Sequence, residues 1–168
     1  MHLKTRGSTL LLLFLALSGC NRQNETAASP SHWAQGSIAT LASGRYDDQD
    51  QRVEYKGKWW LDHQFPQSSG QSITYSDKPG DTFRIAFTGT AITYVFTRAL
   101  NRGIAEVKID ASPAVRVNEY SAATQWQQKE RFGGLSAGAH TMEVRVSGDK
   151  DPASGGLFVD LDAFEVEP

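Results

Sequence analysis

The sequence predicts an all-β domain, an antiparallel β-sandwich, and two stretches carry that prediction. Within Thr82–Asp110, Phe83, Ile85 and Phe87 alternate with Thr82, Arg84, Ala86 and Thr88. Ile92, Tyr94 and Phe96 then alternate with Thr93, Val95 and Thr97, and Ala105, Val107 and Ile109 with Glu106, Lys108 and Asp110. In the second stretch His140, Met142, Val144 and Val146 alternate with Thr141, Glu143, Arg145 and Ser147. Successive strand side chains point to opposite faces, so each run has one face for a core and one for water. No window holds a comparable period of 3.6. Gly89-Thr90 is expected to turn the chain between the first two runs, and Arg98–Gly103 to loop before the third.

The N-terminal segments are of another kind. His2, Lys4 and Arg6 form a positively chargeable start, Leu10–Leu17 an apolar run, and Leu17-Ser-Gly-Cys20 closes it. That run is too short for a permanent bilayer-spanning helix, so residues 1–20 read as an export signal. The small residues before Cys20 resemble the lipobox of bacterial lipoproteins, which implies a chain lipidated on Cys20 and held to a membrane outside the cytoplasm. Asn21 resembles the residues that permit transfer to the outer membrane, where the host has one. Cys20 is the sole cysteine, so no intrachain disulfide can form and stability must come from burial. Residues 21–43 are mostly small and polar and read as a tether, with Trp33 its large apolar residue and Ser37–Leu41 a possible edge strand.

Residues 44–168 form the domain. Arg45–Asp50 reads as an acid-rich loop, followed by strands at Arg52–Tyr55, Lys58–Asp62 and Ser72–Ser76, with a Pro/Ser/Gly loop at Phe65–Gly70 and a turn at Asp77–Gly80. After the central runs, Asp110–Pro113 turns the chain into a strand at Val115–Tyr120. Another is expected at Trp126–Phe132, and Gly133–Gly138 as a turn-rich connection. In the last strand, Leu157–Val166, the apolar phase slips: Leu157, Val159 and Leu161 point one way, Phe164 and Val166 the other. A one-residue bulge near Asp162-Ala163 would repair it. A formal charge of −2 on 168 residues supplies no electrostatic footprint for nucleic acid.

Taken together, Tyr46-Asp-Asp, Tyr55-Lys-Gly-Lys-Trp59, Gly80-Asp-Thr-Phe83, Phe87-Thr-Gly-Thr90, Gly103-Ile-Ala-Glu-Val107, Leu135–His140 and Val159-Asp-Leu-Asp-Ala-Phe164 resemble the galactose-binding-like jelly-roll domains attached to many secreted bacterial glycosidases and surface proteins. The resemblance covers most of Tyr46–Val166. It implies a jelly roll that is usually non-catalytic and often binds carbohydrate. In one place the chain departs from the family: its turn usually reads Asp-Gly, and here it reads Asp110-Ala111. Ala tolerates positive φ poorly, so a turn of another type is expected there.

Sugar binding calls for an aromatic face against the apolar side of a pyranose and planar groups for its hydroxyls. The candidate residues are Arg98, Asn101 and Arg102 in one loop, Tyr120 and Trp126 in another segment, and Trp59, Trp60 and Tyr94 from the strands. Of Trp59 and Trp60, adjacent in a strand, one is expected to pack and the other to be exposed. Related jelly rolls often hold a structural calcium between an early loop and the last strand. The resemblance therefore nominates oxygen ligands among Asp47, Asp48, Asp50, Asp160 and Asp162. No Gly-x-Ser-x-Gly motif or paired His/Cys spacing marks a catalytic or zinc site, and His140 reads as a core or turn histidine rather than a general base. The chain is therefore expected to be a non-enzymatic, lipid-anchored binder of envelope or environmental glycan. The rivals are a structural or protein-interaction lipoprotein and, behind it, a small extracytoplasmic hydrolase.

Overall fold

The computed structural model describes residues 39–168. The export signal, Cys20, Trp33 and the first two residues of Ser37–Leu41 lie outside the described residues. Ten strands form: β1 (Gly44–Asp47), β2 (Glu54–Lys56), β3 (Trp60–Asp62), β4 (Ile73–Ser76), β5 (Thr82–Arg98), β6 (Ile104–Ile109), β7 (Val115–Asn118), β8 (Gln125–Val146), β9 (Val159–Leu161) and β10 (Ala163–Glu167). One single-turn 3₁₀ segment, Ser69–Gln71, is the only helical element among the described residues. The strands pair antiparallel in two sheets. One has seven strands in the order β1-β10-β5-β8-β6-β7, with β2 on the first part of β5; the other is β3-β4-β9.

The apolar runs point where their period requires. Phe83, Ile85, Phe87, Ile92, Tyr94, Phe96, Met142 and Val144 are fully buried in one core cluster. Losing one of these rings, as in Phe83→Ala, costs about 3–5 kcal/mol by lost transfer energy and the cavity left behind.

Three expectations about connections are corrected. Gly89-Thr90 does not turn the chain: β5 runs straight through 17 residues, and β8, expected as two strands with a turn at Gly133–Gly138, is a single strand of 22. The phase change from Phe87 to Ile92 coincides with a register shift between Gly89 and Ala91. There Gly89 faces Gly138 and Ala91 faces Gly133, so β8 carries the surplus residues as a bulge. Such a bulge and a turn both switch alternation by one residue, so periodicity alone does not separate them.

The slip in the last strand has a different cause from the expected bulge. The chain changes sheets at Asp162, β9 pairing with β4 and β10 with β5. Leu161 and Phe164 both enter the core because they belong to opposite layers.

At the chain's entry, Arg45–Asp47 is part of an edge strand rather than a loop. Leu41 is fully buried and bridges to Phe87 through bonds to Ala86 and Thr88, so the packed domain begins before Gly44. In the turn after β6, Asp110 takes the positive φ, 52°, and Ala111 does not. Asp is among the few non-glycine residues that visit that region, and here its side chain is held across the sheet by the Thr141 N–H at 2.8 Å.

Candidate functional site

The loop expected over Arg98–Gly103, with Asn101 and two guanidinium groups, is observed as Ala99–Gly103 between β5 and β6. It is stitched down on both sides. Gly103 donates to the carbonyl of Phe158 at 2.8 Å, Phe158 to that of Asn101 at 3.2 Å, and Gly155 to that of Leu100 at 2.8 Å. The Ser154 hydroxyl bonds the Arg102 carbonyl at 2.7 Å. The approach is close enough to need glycine. A Cβ on Gly103 or on Gly156 would lie 2.6 Å from the carbonyl oxygen of Leu157 or Asn101 respectively.

A hollow of ≈ 150 Å³ lies beside this loop, lined by Asn101, Arg102, Phe65, Ile73, Tyr75 and Phe158. It sits on the face of the three-stranded sheet opposite Leu161 and Val159, since Trp60, Tyr75 and Asp160 are paired neighbours across that sheet. Tyr75 packs edge-on to Phe158 with centroids 5.6 Å apart, and Trp60 stacks on Tyr75 at 5.9 Å. Trp126 backs Phe65 at 5.3 Å. The ammonium of Lys58 lies 5.0 Å from the Trp60 ring.

Arg102 is 7% exposed. Its Nη2 donates to Asp160 Oδ2 at 2.6 Å and its Nη1 to Asn101 Oδ1 at 3.2 Å, while its Nε has no protein partner. Asp160 Oδ1 accepts the Thr97 N–H at 2.9 Å. Behind Asp160 lies Glu119, also fully buried, and the Tyr94 hydroxyl touches both Glu119 Oε1, at 2.8 Å, and the backbone carbonyl of Asp160. Burial pushes the Glu119 carboxyl well above the usual range. The charge of Asp160 pushes the same way, against Tyr94 and Arg102. Burial also raises Asp160, opposed first by Arg102 and then by Thr97. The guanidinium in contact with Asp160 favours its ionised form more than that of Glu119, which no cation among the described residues touches.

The structure thus brings four of the eight nominated ligand-binding residues to or beside one hollow. Asn101 and Arg102 line it; Trp60 and Trp126 support its walls. Tyr94 is corrected: it is a core residue with no exposed surface and cannot touch a ligand directly. Trp59 packs against Phe83 and Tyr55 in the core layer and lines a different cleft. Arg98 lies over the Phe96 ring at 5.7 Å, and Tyr120 bridges Ala99 through its backbone; neither lines the hollow. Phe65, Tyr75, Phe158 and Glu119 were missed. Glu119 carried a signal, a charged residue continuing the buried phase of Val117; the three aromatics are spread over 94 positions of sequence and carried none.

The cleft beside Trp59 is larger, ≈ 440 Å³, and opens between the sheets at Tyr55, Leu61 and Asp48. Several of its polar groups bond within the protein. Asp48 accepts the hydroxyls of Ser72 and Thr74, both at 2.8 Å, and Trp59 Nε1 donates to the carbonyl of Lys56 at 3.2 Å. A sugar needs directional partners with capacity to spare, so the smaller hollow is the better candidate.

The nominated calcium ligands divide. Asp50 forms a bidentate pair with Arg52, and Asp160 belongs to the arginine network. Asp47, Asp48 and Asp162 gather at the β1 end, but protein donors engage them: Asp47 Oδ1 accepts the Asp48 N–H at 2.7 Å, and Asp162 Oδ1 the Ser69 N–H at 2.6 Å. Asp162 Oδ2 is left without a partner. Each of these three carboxylates thus gives at least one oxygen to a protein donor. Among the described residues no group of three or more His, Cys, Asp or Glu side chains is arranged to hold a metal. Burial instead raises Asp48 and Asp162 each to about 7.

No family model matches the chain. Over 98 residues it is 32% identical to the A type blood N-acetyl-alpha-D-galactosamine deacetylase of Flavonifractor plautii, a match over 58% of this chain and 13% of that enzyme. Its fold is similar to part of a Paenibacillus xanthan lyase, with a TM-score of 0.59 and 13% identity over 83% of this chain and 14% of the lyase. It is also similar to part of a two-domain esterase active on acetylated mannans, with a TM-score of 0.57 and 18% identity over 75% of this chain and 37% of the esterase. A family two carbohydrate esterase from Cellvibrio japonicus gives 0.53 and 17%, over 74% of this chain and 33% of that protein. The chain is a β-sandwich similar to domains of carbohydrate-active enzymes, and it spans a minor part of each.

Proposed function

We propose that this domain binds carbohydrate, without catalysis, at the hollow beside Ala99–Gly103, and that a lipid on Cys20 holds it at the bacterial envelope. The observation that carries the reading is the pairing of an aromatic wall (Phe65, Tyr75, Phe158) with Arg102 and Asn101, whose planar polar groups are fixed in direction. Rings offer the apolar side of a pyranose a dispersion surface, and the guanidinium and amide offer hydrogen bonds to hydroxyls. The hollow has room for about one sugar ring. The likeness of the fold to domains of a xanthan lyase and a mannan esterase supports the same ligand class.

The non-catalytic reading draws support from His140. Its Nδ1 bonds Asp110 at 2.7 Å and its Nε2 the carbonyl of Ser136 at 2.7 Å, so neither nitrogen is free to activate a nucleophile.

The test is a glycan array followed by calorimetry, comparing the parent with Phe158→Ala and Asn101→Ala. Each variant should lose about tenfold in affinity or more, roughly 1.4 kcal/mol. Silence across galactose-, mannose- and glucose-based oligosaccharides would remove the reading. For the anchor, Cys20→Ala should abolish incorporation of radiolabelled palmitate and release the protein from membranes.

A further inference from the structure

Glu119 is the one fully buried carboxyl beneath the hollow with no salt bridge among the described residues. Its surroundings fix what it must be. The Tyr94 hydroxyl has one proton and faces two oxygens, the backbone carbonyl of Asp160 and Glu119 Oε1. One hydroxyl proton cannot serve both acceptors, and a carbonyl can only accept; with the tyrosine proton on the Asp160 carbonyl, the contact between Tyr94 and Glu119 is made by a proton on the carboxyl. The second oxygen, Oε2, takes the Asp160 N–H at 3.4 Å.

We propose that Glu119 is a neutral carboxylic acid that positions Arg102, acting as a hydrogen-bond donor through Tyr94 and the Asp160 backbone. This rests on the hollow being the ligand site. From Glu119 Oε1–H to Tyr94, from Tyr94 to the Asp160 carbonyl, and from Arg102 to the Asp160 carboxylate, each link sets the place of the next. The Glu119 backbone grips the same loop from the other side: its N–H donates to the Gly103 carbonyl at 3.1 Å, and its carbonyl accepts the Ala99 N–H at 3.2 Å. Both ends of Ala99–Gly103 are thus tied to one residue. Asp160 and Arg102 are the charged groups around it and form a pair, so an ionised Glu119 would be a second buried anion beside one cation.

The burial trend of the carboxyl agrees with this state. Glutamine has the same shape and keeps a donor; methionine keeps the bulk and has none. Difference infrared spectra of the ligand-free protein at neutral pH, parent minus Glu119→Gln, should show loss of a protonated-carboxyl stretch. Loss of an ionised-carboxylate band instead overturns the proposal.

The Arg102 Nε–H signal in nitrogen NMR reads the positioning directly. It should stay in place in Glu119→Gln, and should shift and exchange about tenfold faster in Glu119→Met and in Tyr94→Phe, each of which breaks one buried link. An unmoved signal in Glu119→Met and Tyr94→Phe, with circular dichroism showing both folded, refutes the positioning role. With galactose and mannopentaose as probes, glutamine should retain affinity within about twofold and methionine should lose about tenfold. If neither probe binds the parent, the ligand reading loses support, while the infrared and NMR results still decide for or against Glu119.

Discussion

Asp160 and Asp162 are separated by one residue and both are excluded from solvent, yet they live under opposite electrostatics. Asp160 faces a guanidinium at 2.6 Å. Asp162 is met by a backbone N–H, stands near Asp47 and Asp48, and among the described residues forms no salt bridge. Burial raises the pKa of both. The cation at Asp160 opposes that rise and pairs with the carboxylate directly beneath the hollow. At the other cluster Ser72, Thr74 and Ser69 supply only neutral donors, and the acids stay close to protonation at about 7. Arg102 bonds Asp160 directly, whereas Arg45 acts on Asp162 only through its charge, and the two acid clusters differ by that contact. One holds Arg102 beside the hollow, the other gathers acids raised to about 7.

The most severe way to break this contrast is Arg102→Met, which leaves Asp160 buried and unpaired. We expect a loss of about 3–5 kcal/mol in urea unfolding. Adding Asp160→Asn to it should restore at least half of that, since the stranded charge is then gone while an acceptor for Thr97 remains.

Next in size is the pH response of the other cluster. A carboxyl raised on folding holds its proton in the native state but not in the unfolded one between 3.8 and about 7, so stability falls as pH rises through that window. The protein should be roughly 1–3 kcal/mol more stable near pH 5 than near pH 8. Asp48→Asn should flatten the slope by about half. A flat profile in thermal melts across this window would show that these acids are ionised throughout.

A smaller contribution comes from His140, whose pKa is raised first by the Ser136 carbonyl and then by Asp110. Its stabilisation is complete below the ordinary histidine value and is lost as pH rises through the raised one. Because Asp110 is half exposed, His140→Gln should remove less than about 1 kcal/mol. Asp50→Asn, which breaks a partly exposed pair with Arg52, should change stability by no more than about 0.5 kcal/mol.

Much of the layered architecture could be read from alternation alone, because burial on one side of a strand forces a period of two. Phe83, Ile85, Phe87 and Val144 went where that rule sends them. The rule says nothing about how a phase change is made. Gly89-Thr90 and Asp162-Ala163 look alike in sequence, yet one is a bulge in a straight strand and the other a passage between sheets. The candidate site was half legible. Asn101 and Arg102 stand out as a polar pair in a glycine-bounded loop, and Glu119 breaks an apolar phase. Tyr94 misled because an aromatic on a core phase looks the same whether it serves a ligand or a buried network.

The order of residues thus determined by itself which side chains must leave water, hence the strands and their inward faces. Only the tertiary structure decided which carboxylates meet a cation, which aromatics share a wall, and which loop is pinned. Those outcomes depend on contacts between segments distant in the chain, such as Phe65, Asn101 and Phe158, and no local pattern encodes a distance across a sheet.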